Sequence, residues 1–339
     1  MNLAGQKLLS DSEIEKLISQ NNYSAAATHL FNSQLNNWEL LRKNYQASQS
    51  IQTKSFWFDG YKIKVQFNPD RMKSTSAEVD DKSVASRKCF LCLNNLPEGQ
   101  KAILLRDKFL LLSNPYPIFP QHFTISLLKH EPQRINNNFK ELLELTRLLN
   151  PGFSLVYNGP KCGASAPDHL HFQAGTKLFM PIENDIQQMK NDYGNVVYEA
   201  EKISITSIND EIRKLILIES DEQIKIIRAF KKIFDELKNY SVSTVEPMMN
   251  IICSYNIDIG WNVILFPRSK HRPQCFYRED HEKILVSPAA IDLGGVLVTP
   301  REEDFLKMNK ELVRKILDEV FFNEETFSSL TKKLREEFN

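Results

Sequence analysis

The sequence predicts an α+β fold with a duplicated architecture, on three observations. Segments of period-two hydrophobic alternation and segments of period 3.6 follow one another along the 339 residues. Asp59-Gly60 joins two β-prone runs, a strong two-residue hairpin signal. The pentapeptide Lys129-His-Glu-Pro-Gln133 returns as Lys270-His-Arg-Pro-Gln274, each time after a strand-like run, at an offset of 141 residues.

Taken in order, residues 11 to about 46 have helical periodicity, with Ile14, Leu17, Ile18, Leu30, Leu35, Trp38 and Leu41 facing inward against the sheet. Ser55 to Phe67 is the hairpin around Asp59-Gly60. A polar loop follows from Asn68 to Lys88, whose Arg71, Lys73 and Ser74 either reach a phosphate or belong to a solvated loop. Runs at 102–112, 122–128 and 153–157 suggest strands, and Phe139 to Leu149 a helix. Lys214 to Glu219 reads as a strand and Asp221 to Tyr240 as a helix, while the stretch from Ala174 to about Asp210 has no clear period. Thr299-Pro300-Arg301-Glu302 has capping-box spacing with proline at the first helical position, so a helix starts there, and the remainder is helical and charged.

Lysine plus arginine equals aspartate plus glutamate, 43 each. This balance excludes a nucleic-acid or membrane-surface partner recruited by bulk charge. The N-terminus lacks the apolar core of a signal peptide, and no stretch approaches the roughly 18 apolar residues of a spanning helix. Five cysteines do not make a secreted disulfide framework. The expected location is cytoplasmic.

The chemistry concentrates in Asn158-Gly-Pro-Lys-Cys-Gly163-Ala164-Ser165-Ala-Pro-Asp-His169-Leu-His171-Phe-Gln173. If the end of this segment is extended, His169, His171 and Gln173 share one face beside a small-residue loop. Neutral imidazole is a good nucleophile near neutral pH, and a convergent amide can donate to phosphoryl oxygens, so the chain is expected to be an enzyme acting on a nucleotide. Upstream, Cys89-Phe-Leu-Cys92 suits two thiolates on one tetrahedral zinc. Two buried free cysteines, or a redox pair, are the other readings of that spacing. In the second half, Arg268, Ser269, Lys270, His271 and Arg272 place charge just after a strand. Arg268 and Lys270 are candidates for binding substrate phosphate, against a solvated strand end.

His169-Leu-His-Phe-Gln173 resembles the histidine-triad (HIT) superfamily, and specifically its transferase branch, which carries glutamine where the hydrolase branch carries a third histidine. That branch holds galactose-1-phosphate uridylyltransferases, diadenosine tetraphosphate phosphorylases and GDP-hexose phosphorylases, and the run to Ala174 is most similar to the last. The resemblance implies tandem HIT-like halves with a mostly antiparallel sheet flanked by helices, covering about residues 50 to 305. It divides the chain into an N-terminal helical segment (1–50), a catalytic half with a zinc site (51–185), a non-catalytic half (186–305) and C-terminal helices (306–339). His171 would attack the α-phosphorus and form a nucleotidyl-histidine, with Gln173 on the phosphoryl oxygens. Asn158, Gly163, Ala164 and Ser165 would contact substrate. Ser165 lies four residues before His169, one more than in the uridylyltransferases, so Asp168 reads as an insertion.

The resemblance also implies a zinc set of Cys89, Cys92, His130 and His169, closed and therefore structural, with His122 as a rival to His130 or else lining the cleft. Gly294-Gly295, in a stretch similar to the C-terminal pattern of the phosphorylases, implies a close backbone approach, by packing or by ligand. The expected substrates are a nucleotide sugar or dinucleoside polyphosphate with phosphate or a sugar phosphate as acceptor, and the expected state is a monomer or homodimer. A histidine-triad hydrolase and a nucleotide-binding protein without turnover are the alternatives.

Overall fold

The computed structural model describes residues 7–76, 81–241, 243 and 245–339. Three N-terminal helices, Ser12–Ser19, Tyr23–Asn37 and Glu39–Ser48, occupy the region of helical periodicity, the first two capped by Asp11 and Asn22 side chains. The hairpin follows as β1 (Thr53–Phe58) and β2 (Tyr61–Phe67). The run 102–112 is itself a hairpin, β3 (Ala102–Leu105) and β4 (Phe109–Ser113). Then come β5 (His122–Leu127), helix Phe139–Leu148, β6 (Phe153–Asn158) and β7 (His171–Thr176).

The stretch without a clear period holds helix Pro181–Tyr193 and the strands β8 (Gly194–Ala200) and β9 (Ile203–Asn209). After β10 (Lys214–Ser220) and helix Gln223–Leu237, β11 (Met249–Asn256) and β12 (Gly260–Pro267) complete the large sheet. β13 (Val296–Thr299) pairs parallel to β2, and helices Glu302–Lys307, Lys310–Asp318 and Glu324–Phe338 close the chain. The helix expected to start at Thr299-Pro300 starts later. Thr299 stays in β13, where its Oγ1 donates to the Gln66 carbonyl, so the helix begins at Glu302 with Arg301 at its N-cap.

The large sheet has ten antiparallel strands in the order β3-β4-β5-β7-β6-β11-β12-β10-β9-β8. Read from either outer edge the sequence of strands is the same, hairpin, strand, then two strands in exchanged order, with a helix between the third and fourth. This is a tandem duplication joined at the β6–β11 seam, where Asn158 pairs Asn250 and Leu155 pairs Cys253. The pentapeptide echo is not its trace. One copy follows β5 and the other follows β12, whose counterpart in the first half is β7.

One face of the sheet, with Phe123, Phe172, Ile251 and Leu265, packs against the N-terminal helices and the helices Phe139–Leu148 and Gln223–Leu237. These last two meet where Phe139 and Phe230 stack with ring centroids 3.7 Å apart. The other face, with Val156, Ile252, Ile264 and Leu217, is covered by the β1-β2-β13 sheet and helix Pro181–Tyr193. Gln173 pairs with Val156 across the ladder and so projects on this second face, at the only place where the cover leaves a cleft lined by His171 and Gln173 among the described residues. Gly295, at φ +100, has its would-be Cβ 3.1 Å from Pro181, so packing rather than a ligand accounts for the close backbone approach there.

Because Phe139 and Phe230 link the helical layers of the two halves, Phe230→Ala should lower the unfolding free energy by about 3–5 kcal/mol in urea denaturation.

Candidate active site

His171 opens β7 opposite Ser126 of β5. Its ring Nδ1 lies 2.8 Å from the carbonyl oxygen of His169, which can only accept, so Nδ1 carries the proton and Nε2 keeps its lone pair. Burial holds the imidazole down to about 4, against an ordinary value of 6.5, so it is neutral at pH 7. Gln133 clamps the residue from behind. Its Oε1 accepts from the His171 N–H at 2.8 Å, and its Nε2 donates to the His171 and Asn158 carbonyls at 3.0 and 2.9 Å. Gln133 is fully buried, and only its place in the pentapeptide drew attention to it in the sequence.

The face expected for His169, His171 and Gln173 holds only the last two. The strand begins at His171, and His169, in the preceding bend, turns its ring to the other side. There Nδ1 lies 3.3 Å from Cys89 Sγ and 3.6 Å from Cys92 Sγ, while Nε2 donates to the Leu127 carbonyl at 2.7 Å. Cys92 Sγ is 3.2 Å from His130 Nδ1. The donor atoms of Cys89, Cys92, His130 and His169 all lie within 4.8 Å of one another. Ligands of one tetrahedral zinc stand on the order of 3.5 Å apart, and each histidine here turns its far nitrogen to an acceptor, as metal-bound histidines do. For His130 that acceptor is the Asp168 carboxylate at 3.7 Å, which also meets Arg87 at 3.3 Å. The residue that read as an insertion therefore braces the cluster. His122 is not part of it.

Two neighbouring cavities share Gln173, and the larger of them also borders His171. A tight one of about 60 Å³ is walled by Arg71, Asn158, Gly163, Ala164, Ser165, Gln173, His271 and Arg272. A larger one of about 510 Å³ runs past His171 toward Phe90, Leu91, Leu96, Pro97, Gln100 and Asn114, sharing Arg71, Ser165 and Gln173 with the first. Gly163 at φ +94 allows the β6–β7 loop to press onto Ala289, 2.7 Å from where a Cβ would stand. Asn158 accepts at Oδ1 from Asn250 and from the Ala290 N–H, which leaves its NH2 toward the tight cavity. Arg71 donates to the Tyr116 carbonyl and borders both cavities. The side chains of Lys73 and Ser74 lie outside the described residues.

The second half contributes differently from the sequence expectation. Arg268 borders neither of these cavities. Its five N–H donors go to the Val320, Pro288, Lys270 and His271 carbonyls and to Asn250 Oδ1, and its side chain is buried. Lys270 points into a neighbouring chamber with Lys161 and Tyr277 and does not border the tight cavity. Arg268 thus shapes a turn that delivers His271 and Arg272 instead. Beyond Pro267 the chain leaves the strand, so alternation no longer tells which cation turns inward.

An antiparallel tandem sheet with one His-x-His-x-Gln strand, a Cys2His2 cluster behind it and a small cavity in front is the arrangement that the resemblance to the HIT transferase branch implies. Residues 30–176 match a family model described as domain of unknown function DUF4922, and residues 187–339 match one described as GDPGP1-like, C-terminal domain. GDP-L-galactose phosphorylase 2 of Arabidopsis thaliana is 27% identical over 212 residues, 58% of this chain and 43% of that protein. The match thus spans less than half the length of this curated relative. Yeast Ap4A phosphorylase Apa2 in complex with Ap4A superposes with a TM-score of 0.55 at 14% identity, over 85% of this chain and 97% of that one. Its AMP complex gives 0.54, over 84% and 95%. At such identity the likeness is one of fold. The chain is a homologue of GDP-L-galactose phosphorylase and carries a GDPGP1-like C-terminal domain.

Among the described residues no helix is long and apolar enough to cross a membrane.

Burial holds His122 at about 3, with Arg71 adding to the effect, and holds His271 at about 3, with Arg272, Arg268 and Lys161 adding. Both folded values lie below the ordinary 6.5, so between these limits the unfolded chain binds more protons. The contribution of both groups is complete above about pH 6.5 and is lost as the pH falls toward 3, so the urea midpoint should drop across that window.

Proposed function

We propose that the chain is a nucleotidyltransferase of the phosphorylase type, acting by two displacements through a nucleotidyl-histidine at His171. The observation that carries this is the tautomer of His171, with Nδ1–H fixed on the His169 carbonyl and Nε2 left as the lone-pair nitrogen of a residue that lines the larger cavity beside Gln173. In the first step Nε2 bonds to the α-phosphorus of a nucleotide sugar or dinucleoside polyphosphate, and the bond to the bridging oxygen breaks. The leaving group is itself a phosphate, weakly basic, so it departs without a proton. In the second step inorganic phosphate or a sugar phosphate bonds to the same phosphorus and the electron pair returns to Nε2.

The NH2 of Gln173, with Arg71, the Asn158 amide and the backbone of Gly163, Ala164 and Ser165, would stabilise the transferring oxygens, an effect worth roughly 3 kcal/mol per well-placed donor. The larger cavity, apolar at Phe90, Leu91 and Leu96 and polar at Gln100 and Asn114, suits a base and ribose. His271 and Arg272 face the side where the leaving group and acceptor would sit. The activities for which the relatives are named, phosphorolysis of GDP-L-galactose and of Ap4A, support this reading.

The Cys2His2 cluster is proposed to hold a structural zinc, whose four protein ligands leave no position for substrate. It would supply folding energy and hold His169, hence the carbonyl that fixes His171.

Two measurements test these readings. After brief incubation with a panel of nucleotide sugars and dinucleoside polyphosphates without acceptor, the intact mass of the protein should rise by one nucleoside monophosphate. His171→Ala should gain nothing, and an equal gain in that variant would remove His171 from the mechanism. Elemental analysis should find about one zinc per chain, lost in Cys92→Ser together with thermal stability; full stability of a zinc-free protein would contradict the assignment.

A further inference from the structure

His122 opens β5 one diagonal step from Gln173, which pairs with Thr124. Its ring is fully buried and borders neither cavity, so it takes no direct part in binding substrate. Its ring Nδ1 stands 3.3 Å from the backbone nitrogen of Ile118, and its Nε2 stands 2.7 Å from Gln173 Oε1. We infer that His122 is a positioning residue that fixes which end of the Gln173 amide faces the transferring phosphoryl group, and so sets how the nucleotidyl-histidine divides between phosphate and water.

The orientation follows from donors that cannot be exchanged. The Ile118 N–H can only donate, so His122 Nδ1 must be the lone-pair nitrogen. The single ring proton of the neutral imidazole is then on Nε2, and its partner on Gln173 must be the acceptor oxygen. Oε1 is held against the protein and the NH2 is left for the cleft. Tyr45, whose oxygen accepts from the His122 backbone N–H at 3.0 Å, and Phe119, whose ring centroid is 5.1 Å from that of His122, brace the ring. The cation of Arg71 further disfavours a second ring proton, which would collide with the Ile118 N–H.

Without this donor the Gln173 amide can turn over. Its oxygen would then face phosphoryl oxygens, weakening phosphate transfer, and could accept a hydrogen bond from a water aimed at phosphorus. Hydrolysis forms an O–P bond from that water and breaks the P–Nε2 bond; the electron pair returns to His171 and the proton leaves to solvent. Phosphate attack would fall while water attack rose, which a general loss of structure does not produce.

The product ratio rests on the nucleotidyl-histidine reading above, whereas the tautomer does not, so both are measured. With a donor that labels the wild-type protein and saturating inorganic phosphate, the ratio of nucleoside monophosphate to diphosphate is followed in wild type, His122→Leu and His122→Gln. The leucine variant should raise that ratio about 10-fold or more. Glutamine, whose NH2 can replace the Nε2 donor, should restore it. Equal slowing of both products in His122→Leu, or a glutamine variant indistinguishable from leucine, would overturn the inference. Imidazole nitrogen NMR of the wild-type chain should show His122 as the Nε2–H tautomer, unmoved between about pH 5 and 8. An Nδ1–H form, or titration inside that range, overturns it even if no variant folds. If the wild type releases neither product, it is the nucleotidyl-transfer reading that fails, and the tautomer still decides the orientation.

Discussion

The hydrogen bond from His171 Nδ1 to the His169 carbonyl is the constraint on which the site depends. It selects the tautomer that leaves Nε2 nucleophilic, and it joins two regions of different purpose. His169 is tied on one side to Cys89 and Cys92 and on the other to the Leu127 carbonyl. Any loosening of the Cys2His2 cluster therefore reaches His171 through two residues of backbone. Gln133 closes the arrangement by bonding both main-chain groups of His171 and the end of β6, so the backbone that carries the ring is tied to both strands. A preorganised ring of this kind loses little freedom when a phosphorus arrives.

The duplicated sheet supplies one site instead of two because its halves differ in one connection. In the first half the link between β6 and β7 is long enough to carry Gly159 through Leu170; in the second, β11 and β12 are joined by a tight turn at Ile257, Asp258 and Ile259. The strand in the place of β7 then presents Ile264 and Phe266 to the shared face and packs apolar core. What the second half gives is a wall. Buried Arg268 donates to the Lys270 and His271 carbonyls and so holds the turn that aims His271 and Arg272, and Ala289 meets the Gly163 loop.

Much of this was legible in the residues. Cys89-x-x-Cys92 fixes two thiolates by local spacing alone, and alternation from His171 to Gln173 fixes their common side once β7 exists. The hairpin at Asp59-Gly60 and the helix Phe139–Leu148 follow from turn chemistry and periodicity. Illegible parts depend on long-range geometry. His169 leaves the common face because β7 begins two residues later than alternation suggests. Thr299 reads as a helix cap but is claimed by the ladder with β2. Arg268 and Arg272 are equivalent as charges, and only the fold decides which is buried in carbonyls. Gln133 looks ordinary in sequence, and His122 reads as a metal ligand or a cleft residue, because the importance of both lies in what they hold.

A nucleotidyl group that passes through His171 leaves its record in the stereochemistry at the α-phosphorus. Each in-line displacement inverts the phosphorus, so two in succession restore it. With an accepted nucleotide donor made chiral by sulfur at the α-phosphorus, transfer to phosphate should proceed with overall retention. Inversion would mean a single direct displacement by the acceptor and would contradict the nucleotidyl-histidine.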